Sequence, residues 1–235
     1  MIFAANFKMN HTRSSTVSYL KELKGLLATL DIQDSKIFIF PPATALIEDR
    51  ELLIGAQNAF FAQNGAYTGE IGLEQLREFN INTLLIGHSE RREILKESQE
   101  FIAKKYQFFS KHNFNIIYCI GEPLEVRKKG KEALEEFLLK EFEGIDLEYK
   151  NLIVAYEPIW AIGTGVSAKI EDIKEVADIL KKYFDAPLLY GGSVKSSNIK
   201  DIMKIDKIDG VLVGSASLKA DEFFKIIKGG IEVKR

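Results

Sequence analysis

The side chains equipped for chemistry in this chain of 235 residues sit where short apolar runs end. Ile2 to Ala5 is followed by Asn6 and Lys8, Thr83 to Gly87 by His88 and Glu90, and Asn115 to Gly121 by Glu122, while the run from Leu152 closes on Glu157. Two further runs end in Gly191-Gly192-Ser193 and in Gly214-Ser215. An ammonium, an imidazole and carboxylates are the groups that transfer protons and steady charge. Taken singly, Lys8, Glu90, Glu122 or Glu157 is better explained as a member of a structural ion pair. Their shared position at the ends of apolar runs is what makes them a candidate site.

The glycines point to phosphate. Gly163-Thr164-Gly165, Gly191-Gly192-Ser193 and Gly214-Ser215 are small-residue turns whose backbone N–H groups, uncovered by side chains, can face phosphate oxygens. Tight-turn geometry alone explains any one of them; the three together favour an anion. Of the three histidines, His112 ends a helical segment, where it offsets the helix dipole, and His11 is open between roles. His88 ends a buried run just before Ser89 and Glu90 open a helix, so a positive helix end should keep its ring neutral. No metal-ligand spacing and no nucleophile elbow competes, so no metal is expected.

The elements that must position these residues are eight apolar runs: Ile2 to Ala5, Ile37 to Phe40, Leu52 to Ala56, Thr83 to Gly87, Asn115 to Gly121, Leu152 to Glu157, Pro187 to Gly192 and Gly210 to Ser215. None alternates with polar residues, which predicts strands buried on both faces, as in parallel sheets covered by helices. Between them the apolar period is helical: Val17, Leu20, Leu23, Leu27 and Leu30 form one stripe, and Ile170, Ile173, Val176, Ala177, Leu180 and Phe184 another. Helices are also predicted over Glu93 to Lys111, Leu124 to Phe142, Ile199 to Lys204 and Asp221 to Lys228, with shorter ones at Ala43 to Asp49 and Leu73 to Phe79. The strands recur about every 30 residues, the length of one βαβ step. Eight such steps suit a single-domain α/β fold over residues 1–235, a closed (β/α)8 barrel in which all strand ends meet at one mouth. An open doubly wound sheet is the rival, weakened because Asn6-Phe7-Lys8-Met9-Asn10 stands where a glycine fingerprint would follow the first strand.

Composition narrows the function class. With 32 Lys plus Arg against 34 Asp plus Glu, the net charge of −2 lacks the basic excess of a nucleic-acid binder. The Lys- and Glu-rich stretch from Glu125 to Glu136 mixes signs and is predicted to be a solvated helix face. The longest apolar stretch, Ile37 to Ile47, contains Pro41 and Pro42 and falls short of the roughly 20 residues of a membrane span. Lys8 follows the apolar N-terminal residues instead of preceding them, unlike a secretory signal. A single cysteine, Cys119, allows no internal disulfide and fits a reducing compartment, so a cytoplasmic protein without membrane or nucleic-acid partners is expected.

These residues resemble those of the triosephosphate isomerase family. The matching segments are Asn6 to Asn10, Ala56-Gln57-Asn58, Gly65 to Glu70, Gly87 to Arg92, Cys119 to Glu122, Ala155 to Gly165, Tyr190 to Val194 and Gly210 to Leu218, in family order along nearly the whole chain. The resemblance implies a TIM barrel that interconverts dihydroxyacetone phosphate and D-glyceraldehyde 3-phosphate, in glycolysis and gluconeogenesis, by proton transfer through an enediolate. It assigns Glu157 as the base, His88 as the electrophile, Asn6 and Lys8 to the substrate, and Gly163, Ser193, Gly214 and Ser215 to its phosphate. It also implies a lid over Pro158 to Ala168 with Tyr190 as its latch, no cofactor, and a homodimer in which the loop Gly65–Gly72 enters the partner, bringing Thr68 near the other site. Phe7, Gly72, Val166-Ser167 and Ser215 depart from the family's usual residues; none is one of the groups assigned to proton transfer. The alternatives are another sugar-phosphate isomerase or epimerase, or a barrel that binds sugar phosphates without chemistry.

Overall fold

The computed structural model describes residues 1–32, 35–162 and 168–234. Eight strands, β1 (Ile2–Asn6), β2 (Lys36–Phe40), β3 (Leu53–Ile54), β4 (Thr83–Ile86), β5 (Asn115–Ile120), β6 (Leu152–Tyr156), β7 (Leu188–Tyr190) and β8 (Gly210–Val213), form one parallel sheet in the order β3-β2-β1-β8-β7-β6-β5-β4. The ends of that order meet through a parallel bridge between Ala56 and Leu84, so the sheet is a barrel. The helices are α1 (Arg13–Leu27), α2 (Leu73–Glu78), α3 (Ser89–Glu93), α4 (Gln99–Lys111), α5 (Leu124–Arg127), α6 (Lys131–Lys140), α7 (Ile170–Leu180), α8 (Ile199–Met203) and α9 (Ala220–Lys234). This is the (β/α)8 architecture that the eight apolar runs predict.

Both faces of the strands are buried apart from β3, where Leu53 is exposed, and the two faces meet different partners. Ile2, Ala4, Phe38, Phe40, Leu85, Ile117, Cys119, Ile153, Ala155, Leu189 and Leu212 form a cluster of strand residues only, which is the barrel lumen. The alternate residues, such as Phe3, Ile39, Ile116 and Val154, join the helices' apolar stripes in a larger outer core. Period-two alternation is therefore present, as inside against outside, both apolar. Continued past the strand ends, the lumen-facing parity reaches Asn6 after Ala4, Gly121 after Cys119, Glu157 after Ala155, Gly191 after Leu189 and Gly214 after Leu212.

Departures from the sequence expectations have local causes. The helix expected over Glu93 to Lys111 is interrupted: α3 ends at Glu93, Lys96 takes a left-handed φ of 58°, and the Ser98 hydroxyl caps α4 by accepting the Phe101 N–H. The one expected over Leu124 to Phe142 breaks at Gly130, whose φ is 97°. Arg127 is not part of a solvated face, since its Nη2 lies 2.7 Å from both Asp172 and Glu175 carboxylates. In α1, Val17 is exposed, and Thr16 and Tyr19 take the buried place beside Leu20, Leu23 and Leu27. α9 runs on through Gly229 and Gly230 because a Cβ on Gly230 would come within 2.7 Å of the Phe3 ring; the glycine lets the helix lie on the barrel.

Two glycines give opposite predictions for the fold. A Cβ on Gly210, at the start of β8, would fall 1.8 Å from the Ile2 carbonyl oxygen across the β1–β8 ladder, so Gly210→Ala should cost about 3 kcal/mol or more. Gly25, exposed in α1 with nothing within 4 Å of a Cβ, should accept alanine with a gain of about 0.5–1 kcal/mol. Urea unfolding of the two variants checks both signs.

Candidate functional site

Among the described residues, Asn6, Lys8, His88, Glu157, Ser193, Gly214 and Ser215, all singled out in the sequence, line one cavity of about 420 Å³ at the strand C-terminal ends. Gly163, the lid positions through Val166-Ser167 and the Gly163-Thr164-Gly165 turn lie wholly or partly outside the described residues. The strands supply the convergence. Asn6 and Glu157 arrive on lumen parity, whereas His88 has the opposite parity. Gly87, at φ 78°, breaks the alternation and turns His88 back over the mouth.

His88 and Glu157 form the buried centre. His88 Nε2 lies 3.1 Å from Glu157 Oε1, and the Ser89 backbone N–H donates to Glu157 Oε2 at 3.2 Å. His88 also caps α3, its Nδ1 accepting the Glu90 N–H at 3.2 Å. That bond needs an unprotonated Nδ1, so the neutral ring with its proton on Nε2 satisfies both contacts. The helix end thus favours the neutral ring as expected, but Glu157 acts against it. Burial pushes the His88 pKa down, the Glu157 carboxylate pulls it up, and in this arrangement the carboxylate prevails. For Glu157, burial favours the neutral acid; the His88 ring, the Ser89 amide and the Lys8 charge outweigh it and hold the carboxyl below its ordinary range.

Lys8 stands beside this pair in a left-handed conformation at φ 51°. Such a backbone needs outside support: the Lys8 N–H donates to Asn6 Oδ1 at 3.0 Å and Gln57 Nε2 donates to the Lys8 carbonyl at 2.8 Å. Asn6 therefore shapes the Lys8 turn as well as facing the cavity. The Lys8 ammonium pairs with Glu90 at 2.7 Å, so Glu90 is the structural partner that the sequence left open. Glu122 is buried too, but turned toward the chain after β6. Its Oε1 accepts the Trp160 indole N–H at 2.8 Å and the Tyr156 hydroxyl at 3.1 Å, and burial pushes its pKa up.

The small-residue turns complete the opposite wall. Ser193 donates its hydroxyl to the Ala161 carbonyl at 2.9 Å, linking the β7 turn to the start of the proposed lid. Gly191 serves Glu157 sterically, because a Cβ there would sit 2.8 Å from Glu157 Cγ. Gly214 passes beside Lys8, a Cβ falling 3.4 Å from Lys8 Cε, and Ser215 opens a short 3-10 turn through Leu218. His11 is structural: its ring lies 4.5 Å from that of Phe7, and its nitrogens lie 3.1 Å from Ser15 Oγ and 3.0 Å from the Leu218 carbonyl. Sequence reasoning passed over Asn10, Lys195 and Glu222, which line the cavity, and Asn198, whose Nδ2 donates to the Ser193 carbonyl at 2.9 Å. The only signal for Lys195 was a basic residue two places beyond a small-residue turn.

The family model described as Triosephosphate isomerase matches residues 1–230. A protein named triosephosphate isomerase from a Sulfurovum species is 60% identical over 228 residues, 97% of this chain and 99% of its own length. One of the same name from a Nitratiruptor species is 54% identical over the full length of both chains, and one from Helicobacter hepaticus is 53% identical over 97% of this chain and 98% of its own.

The coupled pair makes stability depend on pH at both ends. Glu157 is lowered from 4.5, so its contribution is present above pH 4.5 and is lost as pH falls through the folded value. His88 is raised from 6.5, so its contribution is present below pH 6.5 and is lost as pH rises through the folded value. Glu157→Gln removes the carboxylate from both, and its unfolding free energy, measured by urea titration across pH, should be flatter than that of the wild type on each side.

Proposed function

From the premise that this chain belongs to the triosephosphate isomerase family and interconverts dihydroxyacetone phosphate and D-glyceraldehyde 3-phosphate, we propose that Glu157, His88 and Lys8 carry the reaction. The single observation that supports this most is the buried carboxylate of Glu157 lying 3.1 Å from His88 Nε2, within the cavity that Lys8 also lines.

Moving a hydrogen between adjacent carbons of an α-hydroxycarbonyl needs a base at carbon and donors at oxygen. Glu157, held ionised in spite of burial, takes the proton from one carbon and returns it to the next. To do so it leaves the His88 ring and the Ser89 amide. His88 Nε2–H then turns its bond to the substrate oxygens, and Lys8 stabilises the enediolate charge as it exchanges Glu90 for the substrate. General-base help contributes about 10²- to 10⁴-fold, and the donors aimed at the developing oxyanion supply much of the remainder. Asn6 contacts the substrate, while Gly163, Ser193, Gly214 and Ser215 hold the phosphate. Closure of the segment from Pro158 to Ala168 keeps water from an intermediate that otherwise loses phosphate.

The same reading has the protein work as a homodimer in the cytoplasm. Met9 is 96% exposed immediately after Lys8, and Tyr67, Ile94 and Leu95 are exposed as well. Apolar side chains left open around the loop Gly65–Gly72 and beside the site suit a partner's surface. No described helix is long and apolar enough to cross a membrane.

Glu157→Gln should lower kcat at least about a hundredfold while retaining the wild-type fold by circular dichroism. The assay couples isomerisation to reduction of the product and contains a chelator, which should not slow the wild type. A folded wild-type protein with no turnover overturns the assignment of residues. Sedimentation equilibrium should return twice the chain mass; a monomer overturns the dimer.

A further inference from the structure

Behind the site lies a buried ion pair that the reaction itself does not touch. Arg92, in α3, donates from Nε to the Gly87 carbonyl at 2.7 Å and from Nη2 to the Cys119 carbonyl at 3.2 Å. Its counter-charge is Glu141, 3.4 Å from Nε. The other carboxylate oxygen of Glu141 accepts the Gly121 N–H at 2.7 Å. These three backbone groups belong to strand ends that carry the chemistry: Gly87 precedes His88, and Gly121 lies flat against β6, where a Cβ would fall 1.7 Å from the Glu157 carbonyl oxygen.

Glu141 is poorly placed for stability alone. It is the C-terminal cap of α6, where the helix dipole opposes a negative charge, and it is buried, which opposes the charge again. Lys or Arg is the usual choice at such a helix end. What the carboxylate does accomplish is to hold one backbone amide and orient one guanidinium, which together fix β4 and β5 relative to β6.

We propose that Glu141 is a positioning residue for the isomerisation: through Gly121 on one side and Arg92 on the other, it sets the distance between His88 and Glu157. The proposal rests on the roles given above to those two residues. When Glu141 takes up a proton, Arg92 loses its counter-charge and the strand ends lose their common anchor. Burial pushes the Glu141 carboxyl up to about 7 against the pull of Arg92 and of the Gly121 amide. The titratable and charged groups that face it are Arg92 from α3, Tyr118 and Cys119 from β5, Glu122 beyond β5 and Glu157 beyond β6. Nearby Glu122 and Glu157 both raise its proton affinity, so this anchor titrates nearer neutrality than an ordinary carboxylate.

The test is steady-state kinetics across pH on the full-length protein and on Glu141→Gln, which keeps an acceptor for Gly121 and removes the charge. Misplacement of reacting groups acts on the chemical step, so kcat should fall roughly tenfold with KM within about twofold of the wild type. The wild type should show an inflection of kcat near neutral pH, and E141Q should lack it. An E141Q enzyme with wild-type kcat, one whose kcat and KM worsen together, or one that retains the neutral inflection overturns the positioning role. If E141Q does not fold, Glu141→Asp carries the test: the charge persists on a shorter side chain, kcat falls with KM unchanged, and an E141D enzyme equal to the wild type overturns the proposal. Inactive wild-type protein sinks the proposed function and this inference with it, whereas active wild type beside an unaltered variant sinks only the role of Glu141.

Discussion

A carboxylate kept ionised at the end of an apolar barrel is the constraint on which the rest of this structure turns. The layer beneath Glu157 consists of Ala155, Cys119, Leu189 and their neighbours, and the weakly donating Cys119 thiol is all that it offers a charge. Left alone, such a carboxyl would be protonated and useless as a base. His88 and the Ser89 amide prevent this, and both belong to the start of α3, so one helix N-terminus supplies a ring and a backbone donor to the same carboxylate. The contact also explains why His88 is a helix cap: the Glu90 amide on Nδ1 fixes which ring nitrogen carries the proton toward Glu157.

Barrel closure makes that contact possible between residues far apart in sequence. β4 and β6 are not neighbours in the sheet; β5 lies between them. For His88 to reach Glu157, the chain after β5 must stay thin, and Gly121 meets that need by packing its bare Cα against the Glu157 backbone. Gly191 does the same on the far side, against the Glu157 side chain. The glycines that bracket Glu157 are thus steric requirements of its position. Gly191, which the sequence offered as part of a phosphate turn, is accounted for by the room that Glu157 needs.

Much of this was legible in the sequence because burial on both faces writes long apolar runs, and because strand ends are where those runs stop. All eight strands follow from that rule, and so does the convergence of Asn6, Lys8, His88 and Glu157. What was not legible depends on long-range pairing. That Glu90 belongs to Lys8, that Arg127 turns inward to Asp172 and Glu175, and that Glu141 reaches Gly121 are facts of packing between elements whose sequences carry only ordinary helical charges. The third strand is shorter than its apolar run because its backbone changes partner: the Gly55 N–H still donates to the Ile39 carbonyl of β2 at 2.9 Å, but the Ala56 N–H donates to the Thr83 carbonyl of β4 at 3.0 Å, leaving Leu53–Ile54 and one bridge at Ala56. Helix breaks at Lys96 and Gly130 were hidden because apolar spacing continued across them.

The charges in the cavity are arranged in pairs. Lys8 is compensated by Glu90 and Glu157 by His88, so neither of the two is left bare before a ligand arrives. A chain of net charge −2 has little long-range pull on a phosphate ester, and binding must be driven by what happens at contact. Half-exposed Glu90 can be returned to water at little cost, which frees the Lys8 ammonium for an anionic ligand. Glu157 cannot be released so cheaply, since it is buried and leaving costs it both the His88 contact and the Ser89 amide. It moves with advantage only when a ligand offers it a polar hydrogen to accept. The pairing therefore couples the two events: an anion loosens Lys8, and a substrate with an acidic C–H or O–H at the right depth loosens Glu157.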